Sequence, residues 1–282
     1  MSAIRSYASL IDYEIRKSLA RKRILILLAL TFLLEVGLYL VLTRLPTLLI
    51  DPFAGIIWSV GIIAPSAGLV HVLALTIGSA TTAEEYETGT ADYWFTRPIS
   101  RIQYFIGKVV GGLALLFIIV LTYSVVSLAI AWFAFGPQSR LEVFPAGVFV
   151  SVFSALPFYT IGLAFGEVLR RSMMSTILSG TVFFSSTLIE TYANIAAAIG
   201  NDPSLLTAVR YLPTWATVGT TSTILLEALD ISVGVPGGVF LLSGVGAENL
   251  GQAFLSIVAY SLASLAIAWV KFRYSDVTRR AQ

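Results

Sequence analysis

The sequence of 282 residues is too apolar for a soluble protein of this length. Only 12% of its residues are charged and 57% are hydrophobic, whereas a soluble domain carries about 25% charged residues. So few polar side chains cannot cover a water-exposed globule, and most of the apolar surface must face lipid or neighbouring helices. The chain has no Cys and one His, which excludes disulfides, thiolate-bound zinc and multi-histidine metal centres. We therefore expect an integral membrane protein without a metal site.

Apolar stretches long enough to cross a bilayer as helices, which takes about 20 residues, recur along the chain. Their hydrophobic residues are continuous and do not alternate with polar ones at a period of two, so helices are favoured over a membrane barrel. The predicted fold is all-α and polytopic, a single transmembrane domain over residues 1–282 with six transmembrane helices. The predicted spans are 24–43, 55–80, 108–136, 146–167, 173–198 and 250–270.

The distribution of Lys and Arg predicts the orientation of these spans. An even number of crossings places both chain ends on one side, and all but three of the 18 Lys and Arg residues fall on that side. The exceptions are Arg44, Arg140 and Arg210. Because cations are retained on the cytoplasmic side of short loops, the pattern predicts that both ends lie in the cytoplasm, an N-in, C-in topology.

Residues 1–23 are predicted to form an amphipathic elbow helix in the cytoplasmic headgroup plane. Polar and charged residues lie on one face of this segment, and Arg21-Lys22-Arg23 at its end are suited to hold it against anionic lipid. A plain cytosolic extension is the alternative. The apolar positions that recur at helical spacing are Ile4, Tyr7, Ala8, Ile11, Ile15 and Leu19.

Residues 199–249 contain a further apolar stretch, from Tyr211 to Leu229, which Glu227, Asp230 and a Pro-Gly-Gly turn interrupt. One additional crossing would move the C-terminal cations to the outer side. We therefore expect either no crossing or two, most simply an outer loop with a pair of short re-entrant or interfacial helices.

The loop 81–107, between the second and third predicted spans, is the one densely charged internal segment. An acidic helical turn, a glycine that ends it and a run of aromatic residues are typical of a surface that docks a soluble partner. A solvated loop whose aromatic residues belong to the headgroup belt is the alternative. In order, the loop carries Glu84, Glu85, Glu87, Gly89, Thr90, Tyr93, Trp94, Phe95, Arg97, Pro98 and Arg101.

The pattern Glu-Glu-x-x-x-Gly-Thr, then Arg-Pro-Ile-Ser-Arg, then Gly-Lys at the start of the next span resembles the signature loop of type-2 ATP-binding-cassette (ABC) permeases. This family includes exporters of antibiotics, polysaccharides and lipids. In it, the loop carries a coupling helix that seats in a cleft of the ATPase subunit. The resemblance implies an ATPase-contacting role for Glu84, Glu85, Glu87, Gly89, Thr90, Arg97, Pro98, Arg101, Gly107 and Lys108.

The chain itself is not expected to bind ATP. Its Gly107-Lys108 pair lacks a glycine five residues before Gly107, and Val109 follows it in place of Ser or Thr. The chain is therefore not predicted to be an enzyme and needs no cofactor of its own. The resemblance implies two separate ATPase subunits that hold ATP and Mg, and a second permease subunit, identical or related. It also implies contact with membrane lipid, no nucleic acid, and a place in the plasma membrane of a prokaryote.

Three ionisable residues fall within predicted spans, where burial is costly unless they are paired. Glu35 and His71 have comparable predicted depths, so a hydrogen bond between them is a hypothesis. The pair would either line the substrate path or pin two helices together. Glu190, in the outer half of the fifth span, is the stronger candidate for the substrate path.

Pairs of glycines four residues apart, Gly107 with Gly111 and Gly162 with Gly166, predict close helix packing. The favoured function is the permease subunit of an ABC exporter that moves a hydrophobic or amphiphilic substrate, driven by an ATPase docked on residues 84–101. The alternatives are an ion-coupled secondary transporter and a permease-like module that transmits force or signal without export. An intramembrane enzyme is disfavoured because its catalytic motifs are missing.

Overall fold

The computed structural model describes residues 3–96, 99–200, 204–231 and 249–274. Within these ranges the regular structure is entirely helical, which confirms the all-α prediction. Two short 3-10 segments, Asp51–Ile56 and Leu141–Val143, supplement the α-helices. The helices are α1 (Ala3–Leu19), α2 (Lys22–Leu42), α3 (Thr47–Ile50), α4 (Trp58–Ser66), α5 (Leu69–Thr81), α6 (Ala83–Thr88), α7 (Ala91–Phe95), α8 (Arg101–Phe135), α9 (Phe144–Leu169), α10 (Ser172–Gly200), α11 (Ser204–Val209), α12 (Pro213–Ala228) and α13 (Leu250–Tyr274).

Within the described ranges, helices α2, α8, α9, α10 and α13 are long and apolar enough to cross a membrane. The number is six if the segments Thr47–Ile56 and Trp58–Ser66, which are bent by 87° relative to each other, form one span. The chain is thus a polytopic membrane protein. The stretch predicted as the second span, 55–80, is divided into α4 and α5. Pro65 lies just before the division and has no N–H to donate to the helix. Helix α4 therefore ends at Ser66, and α5 begins at Leu69, directly after Gly68.

Helices α5 and α9 pack closely at the centre of the bundle. A Cβ added to Gly162 would lie 2.5 Å from the carbonyl oxygen of Leu75, and one on Gly78 would lie 2.0 Å from that of Tyr159. Both distances are below any normal van der Waals contact, so only glycine fits at this interface. The prediction that Gly162 and Gly166 form a packing site is confirmed, and its partner is α5.

Helix α1 lies against the start of α8, at one end of the bundle. Added Cβ atoms on Gly107 and Gly111 would lie 3.0 Å from Leu10 and 2.8 Å from Glu14. The second glycine pair is therefore also a packing site, and its partner is the N-terminal helix. Leu10, Glu14 and Ser18 recur every four residues on α1 and are fully buried. We call this end of the bundle, which also holds α6 and α7, the loop end.

In the region 199–249, α12 lies inside the bundle, packed on α9 and α13. Its threonines face inward, because Thr214, Thr217, Thr220 and Thr221 are fully buried. Residues 201–203 and 232–248 of this region lie outside the described ranges. The re-entrant or interfacial arrangement of the region remains a prediction.

Gly162→Ala should destabilise the protein, because the new methyl group collides with the backbone of α5. Overpacking of this kind costs about 1–3 kcal/mol. Gly180→Ala is the matched control, since a Cβ there has no atom within 4 Å and alanine favours the helix. The apparent unfolding temperature in detergent should fall for Gly162→Ala and stay level or rise for Gly180→Ala. Equal behaviour of the two variants would contradict the packing described at Gly162.

Candidate functional site: the α6 clamp

Helix α6 connects to the bundle through consecutive side chains, each reaching a different element. Its end is defined by Gly89, whose φ of 72° lies in the left-handed region that favours glycine. Arg21 Nε, between α1 and α2, donates to Glu84 Oε2 at 2.7 Å. The next residue, Glu85, accepts from the Lys108 ammonium of α8.

The next two residues of α6 reach α9 and α10. The Tyr86 hydroxyl donates to Glu167 Oε2 at 2.9 Å, and the guanidinium of Arg170 lies 4.9 Å from the centre of the Tyr86 ring. Glu87 Oε1 accepts from the backbone N–H of Ser172, the first residue of α10, at 3.0 Å. A carboxylate at that position complements the positive N-terminal end of the helix dipole. Helix α6 is therefore in contact with α8, α9 and α10 at the same time.

Glu85 and Lys108 form the centre of a buried ionic cluster. Lys108 Nζ lies 2.6 Å from Glu14 Oε2, and the Lys108, Glu14 and Glu85 side chains have no solvent exposure. Lys17 Nζ donates to Glu85 Oε1 at 3.2 Å, and the Tyr104 hydroxyl donates to Glu85 Oε2. The cluster is completed by Arg21, which contacts both Glu84 and Glu14. We name as the α6 clamp the residues Glu14, Lys17, Arg21, Glu84, Glu85 and Lys108.

The charges of the α6 clamp balance, with three cations against three carboxylates. Burial by itself would raise the pKa of Glu85, but Lys108 and Lys17 outweigh it and hold that pKa below its ordinary value. Burial lowers the pKa of Lys17, and the nearby Glu85 carboxylate opposes that shift. Removing one partner of such a buried pair leaves an uncompensated charge and costs about 3–5 kcal/mol.

The residues predicted to contact an ATPase divide into two groups in the structure. Glu85 is buried and Glu84 half-buried, and both point into the bundle. Gly107 and Lys108 are buried as well. The remaining members that the structure describes are exposed, whereas Arg97 and Pro98 lie outside the described residues. Contact with an ATPase remains a prediction for the whole set. The exposed members are Glu87, Gly89, Thr90 and Arg101.

The prediction of an exposed aromatic patch is wrong for Trp94. This side chain is 8% exposed, and its ring meets that of Tyr13 edge to face, with centroids 5.0 Å apart. It belongs to an apolar cluster that includes Leu10 and Phe272 and lies beneath the loop. Tyr93, by contrast, is 55% exposed on α7. Trp94 therefore anchors α7 to α1, and Tyr93 faces solvent.

Sequence reasoning did not identify Glu14, Lys17, Arg21 and Tyr104 as members of this site. None of the four carried a signal, because the face of α1 that holds Leu10 and Glu14 is known to be buried only from the structure. A carboxylate that is buried in its charged form needs a cation beside it. Nothing in the sequence indicates that the cation is Lys108, which is 94 residues away.

The hypothesis of a hydrogen bond between Glu35 and His71 is wrong. Both side chains are fully buried, yet neither carboxylate oxygen and neither ring nitrogen has a hydrogen-bond partner. The His71 ring stacks on Phe183 at 5.8 Å and meets Phe158 edge-on at 5.6 Å, so it faces α9 and α10. Glu35 lies instead near Ser127 of α8. Comparable depth does not bring two residues together when they face different neighbours.

A groove of about 480 Å³ lies between α5 and α10. Its lining is mainly apolar with a few hydroxyl groups, and includes Val72 and Leu75 from α5 with Gly180, Phe184 and Leu188 from α10. The three residues predicted for the substrate path do not line it, although Glu190 and His71 lie within two residues of lining positions. Glu190 is 9% exposed and lies beside Thr214 of α12.

The α6 clamp should weaken in acid. Because the pKa of Glu85 is lower in the folded protein than its ordinary value of 4.5, the stabilisation is complete above that pH and is lost as the pH falls through the folded-state pKa. Glu85→Gln should lower the unfolding temperature in detergent at neutral pH, and its difference from wild type should shrink below pH 4.5. Glu142→Gln, at a 69% exposed carboxylate, should show little effect. A Glu85→Gln difference that is independent of pH would contradict the ion pairing.

Comparison with known proteins identifies the family to which this chain belongs. The family model described as ABC-2 family transporter protein matches residues 8–277, which include α2 to α13 and most of α1. No curated protein sequence matches the chain. Permeases of this family are membrane subunits and generally not catalytic. With the multi-pass helical fold and the loop motif, the match shows that the chain belongs to the ABC-2 transporter family and is an ABC permease subunit.

Proposed function

We propose that this permease subunit belongs to an exporter and takes its energy from a separate ATPase that docks on residues 84–101. The observation that carries the proposal is the arrangement of α6. Four successive side chains, 84 to 87, connect it to α8, α9, α10 and the segment before α2. A partner that docks on α6 would therefore act on its contacts with these helices, one of which, α10, lines the groove between α5 and α10.

The docking face is assigned to the exposed part of the loop. Its exposed residues are Glu87, Gly89, Thr90, Tyr93 and Arg101. Together they present charged side chains, backbone groups and one aromatic ring to a partner. The inward-pointing Glu84 and Glu85 hold the loop in place. The predicted roles of Arg97 and Pro98 rest on the resemblance of the loop motif.

The assembly that fits this face contains two ATPase subunits, with ATP and Mg, beneath two permeases. The second permease is a copy of this chain or a relative. ATP-driven closure of the ATPases would push on both loops, and the permeases would rock against each other to open the path outward. The loop end then lies in the cytoplasm, as the cation distribution predicts, and the host membrane is the plasma membrane of a prokaryote.

The groove between α5 and α10 supports the proposed substrate class. Its lining is apolar and carries hydroxyl groups but no charged side chain, a composition that suits an alkyl chain with a polar end better than a small ion. A hydrophobic or amphiphilic substrate is therefore proposed. A module that transmits force without export would need the clamp but not the groove.

Tyr93→Arg should reduce recovery of the ATPase with the purified permease by at least tenfold. The change replaces an exposed ring on the docking face with a long charged side chain. Tyr211→Arg is the matched control, because Tyr211 is 72% exposed outside the loop 81–107. Both variants should reach the membrane at wild-type abundance, and subunit ratios in the purified complex provide the measurement. Equal ATPase recovery with both variants would exclude this docking face.

Gly180→Phe should block ATP-dependent movement of an amphiphile by filling the groove. A side chain at Gly180 enters open space on the groove face of α10, and one at Gly37 enters open space on α2 outside the groove. Gly37→Phe is therefore the control. The measurement is translocation of a fluorescently labelled single-chain phospholipid in proteoliposomes that contain the whole complex. Equal loss in both variants would contradict a path through the groove, and movement driven by a proton gradient without ATP would favour a secondary transporter.

A further inference from the structure

We infer that Glu35 is a proton-binding site inside the membrane, reached from the far end of α2 through the hydroxyl groups of Ser127 and Tyr39. Glu35 lies on α2, about 20 Å from the first residue of that helix. An ionisable side chain at such a depth is rare and is usually functional. The inference goes beyond the proposed function, because it gives the permease a second ligand, one proton, whether or not an ATPase docks on the loop.

The first observation is that the Glu35 carboxyl group is buried without a cation. Its side chain has no solvent exposure, and neither oxygen has a hydrogen-bond partner in the part of the chain that the structure describes. None of the salt bridges among the described residues includes Glu35. A carboxylate is costly to bury in its charged form without a cation, and a bound proton removes that charge.

The titratable groups that face Glu35 cannot supply the missing positive charge. They are the hydroxyl groups of Tyr39 on α2 and of Tyr123 on α8, and a phenol is never cationic. His71, the one histidine of the chain, faces α9 and α10 instead. The positive charge must therefore be a proton on Glu35 itself.

The second observation is the use of the hydroxyl hydrogens beside Glu35. Ser127, which lies next to Glu35, has one hydrogen and donates it to the carbonyl oxygen of Trp58 at 3.2 Å. Its oxygen is also 2.5 Å from the Tyr39 hydroxyl, which donates to the carbonyl oxygen of Ile57 at 3.3 Å. Because both hydrogens are used within this chain, Ser127 presents only lone pairs to Glu35. Two acceptors that face each other need a hydrogen between them, and a protonated carboxyl group supplies it.

The third observation is steric. A Cβ added to Gly61 of α4 would overlap the Ser127 hydroxyl and would lie 3.0 Å from the Tyr39 hydroxyl oxygen. The backbone of α4, which also carries the carbonyl of Trp58, is thus packed directly against both hydroxyl groups. This packing keeps the hydrogen of Ser127 directed at α4 and away from Glu35.

The same hydroxyl groups form a route to the membrane surface. Tyr39 lies one helical turn beyond Glu35 on α2, in the direction away from the loop end. Its acceptor, Ile57, directly follows the 3-10 segment Asp51–Ile56, whose residues are exposed or half-buried. A hydroxyl group accepts one hydrogen while it donates another, so Ser127 and Tyr39 can pass a proton between Glu35 and solvent at that segment. The cation distribution predicts that this end of the bundle is outside.

Infrared spectroscopy of the full chain in lipid tests the bound proton directly, because a protonated carboxyl group has a carbonyl stretching band that a carboxylate lacks. We expect this band at neutral pH in the difference spectrum between wild type and Glu35→Gln. Glu142→Gln, at a 69% exposed carboxylate, is the matched control and should leave the band unchanged. A Glu35→Gln difference spectrum that shows carboxylate bands in place of the carbonyl band would overturn the inference. Glu35→Asp, whose acid absorbs at a different frequency, gives the same comparison where the amide variant folds poorly.

Transfer into heavy water tests the route. The carbonyl band shifts when deuterium replaces the proton, so the rate of the shift measures how fast Glu35 exchanges its proton with solvent. Tyr39→Phe removes the hydroxyl between Ser127 and Ile57 and should slow the shift at least tenfold. Tyr123→Phe is the matched control, because Tyr123 is equally buried near Glu35 but its hydroxyl has no hydrogen-bond partner among the described residues. Equal exchange rates in the two variants would overturn the route through Tyr39.

Discussion

The ammonium group of Lys108 is a full charge with no contact to water, and the arrangement of the loop end depends on it. An isolated charge in such a place would cost several kcal/mol, so carboxylates must come to it from elsewhere in the chain. They come from Glu14 of α1 and Glu85 of α6. Lys108 thus fixes where the loop lies relative to the third long helix.

Glycine sets how closely the helices can approach. Gly107 and Gly111 admit α1 to the surface of α8, while Gly78 and Gly162 bring α5 and α9 into backbone contact. Without the first pair, Glu14 could not reach Lys108. The ion cluster and the glycine interface therefore depend on each other. The glycines allow α1 to approach α8 closely, and the charges determine which side chains pair.

Features that depend on local composition could be predicted from the sequence. The neighbour that a side chain faces could not, because it depends on how the helix is rotated within the bundle. Long apolar runs and the loop motif were sufficient for the all-α membrane fold and the location of α6. Pairing of Glu35 with His71 was wrong because residue counting gives depth but not which neighbour a side chain faces, and the division near Gly68 adds a change of path. The Glu14 to Lys108 pair joins residues 94 positions apart, and it exists only once α1 has folded back on α8.

Glu87 belongs both to the proposed docking face and to the contact between α6 and α10. It is exposed on the proposed docking face, and its carboxylate also accepts the N–H of Ser172 at the start of α10. Helix α10 in turn lines the groove along Thr176, Gly180 and Phe184. A partner that attracts the Glu87 carboxylate would weaken its bond to α10, while the buried Glu85 keeps α6 fastened to α8. In the proposed assembly, the side chains of two residues, one exposed and one buried, would thereby determine which helix separates from α6 and which moves with it.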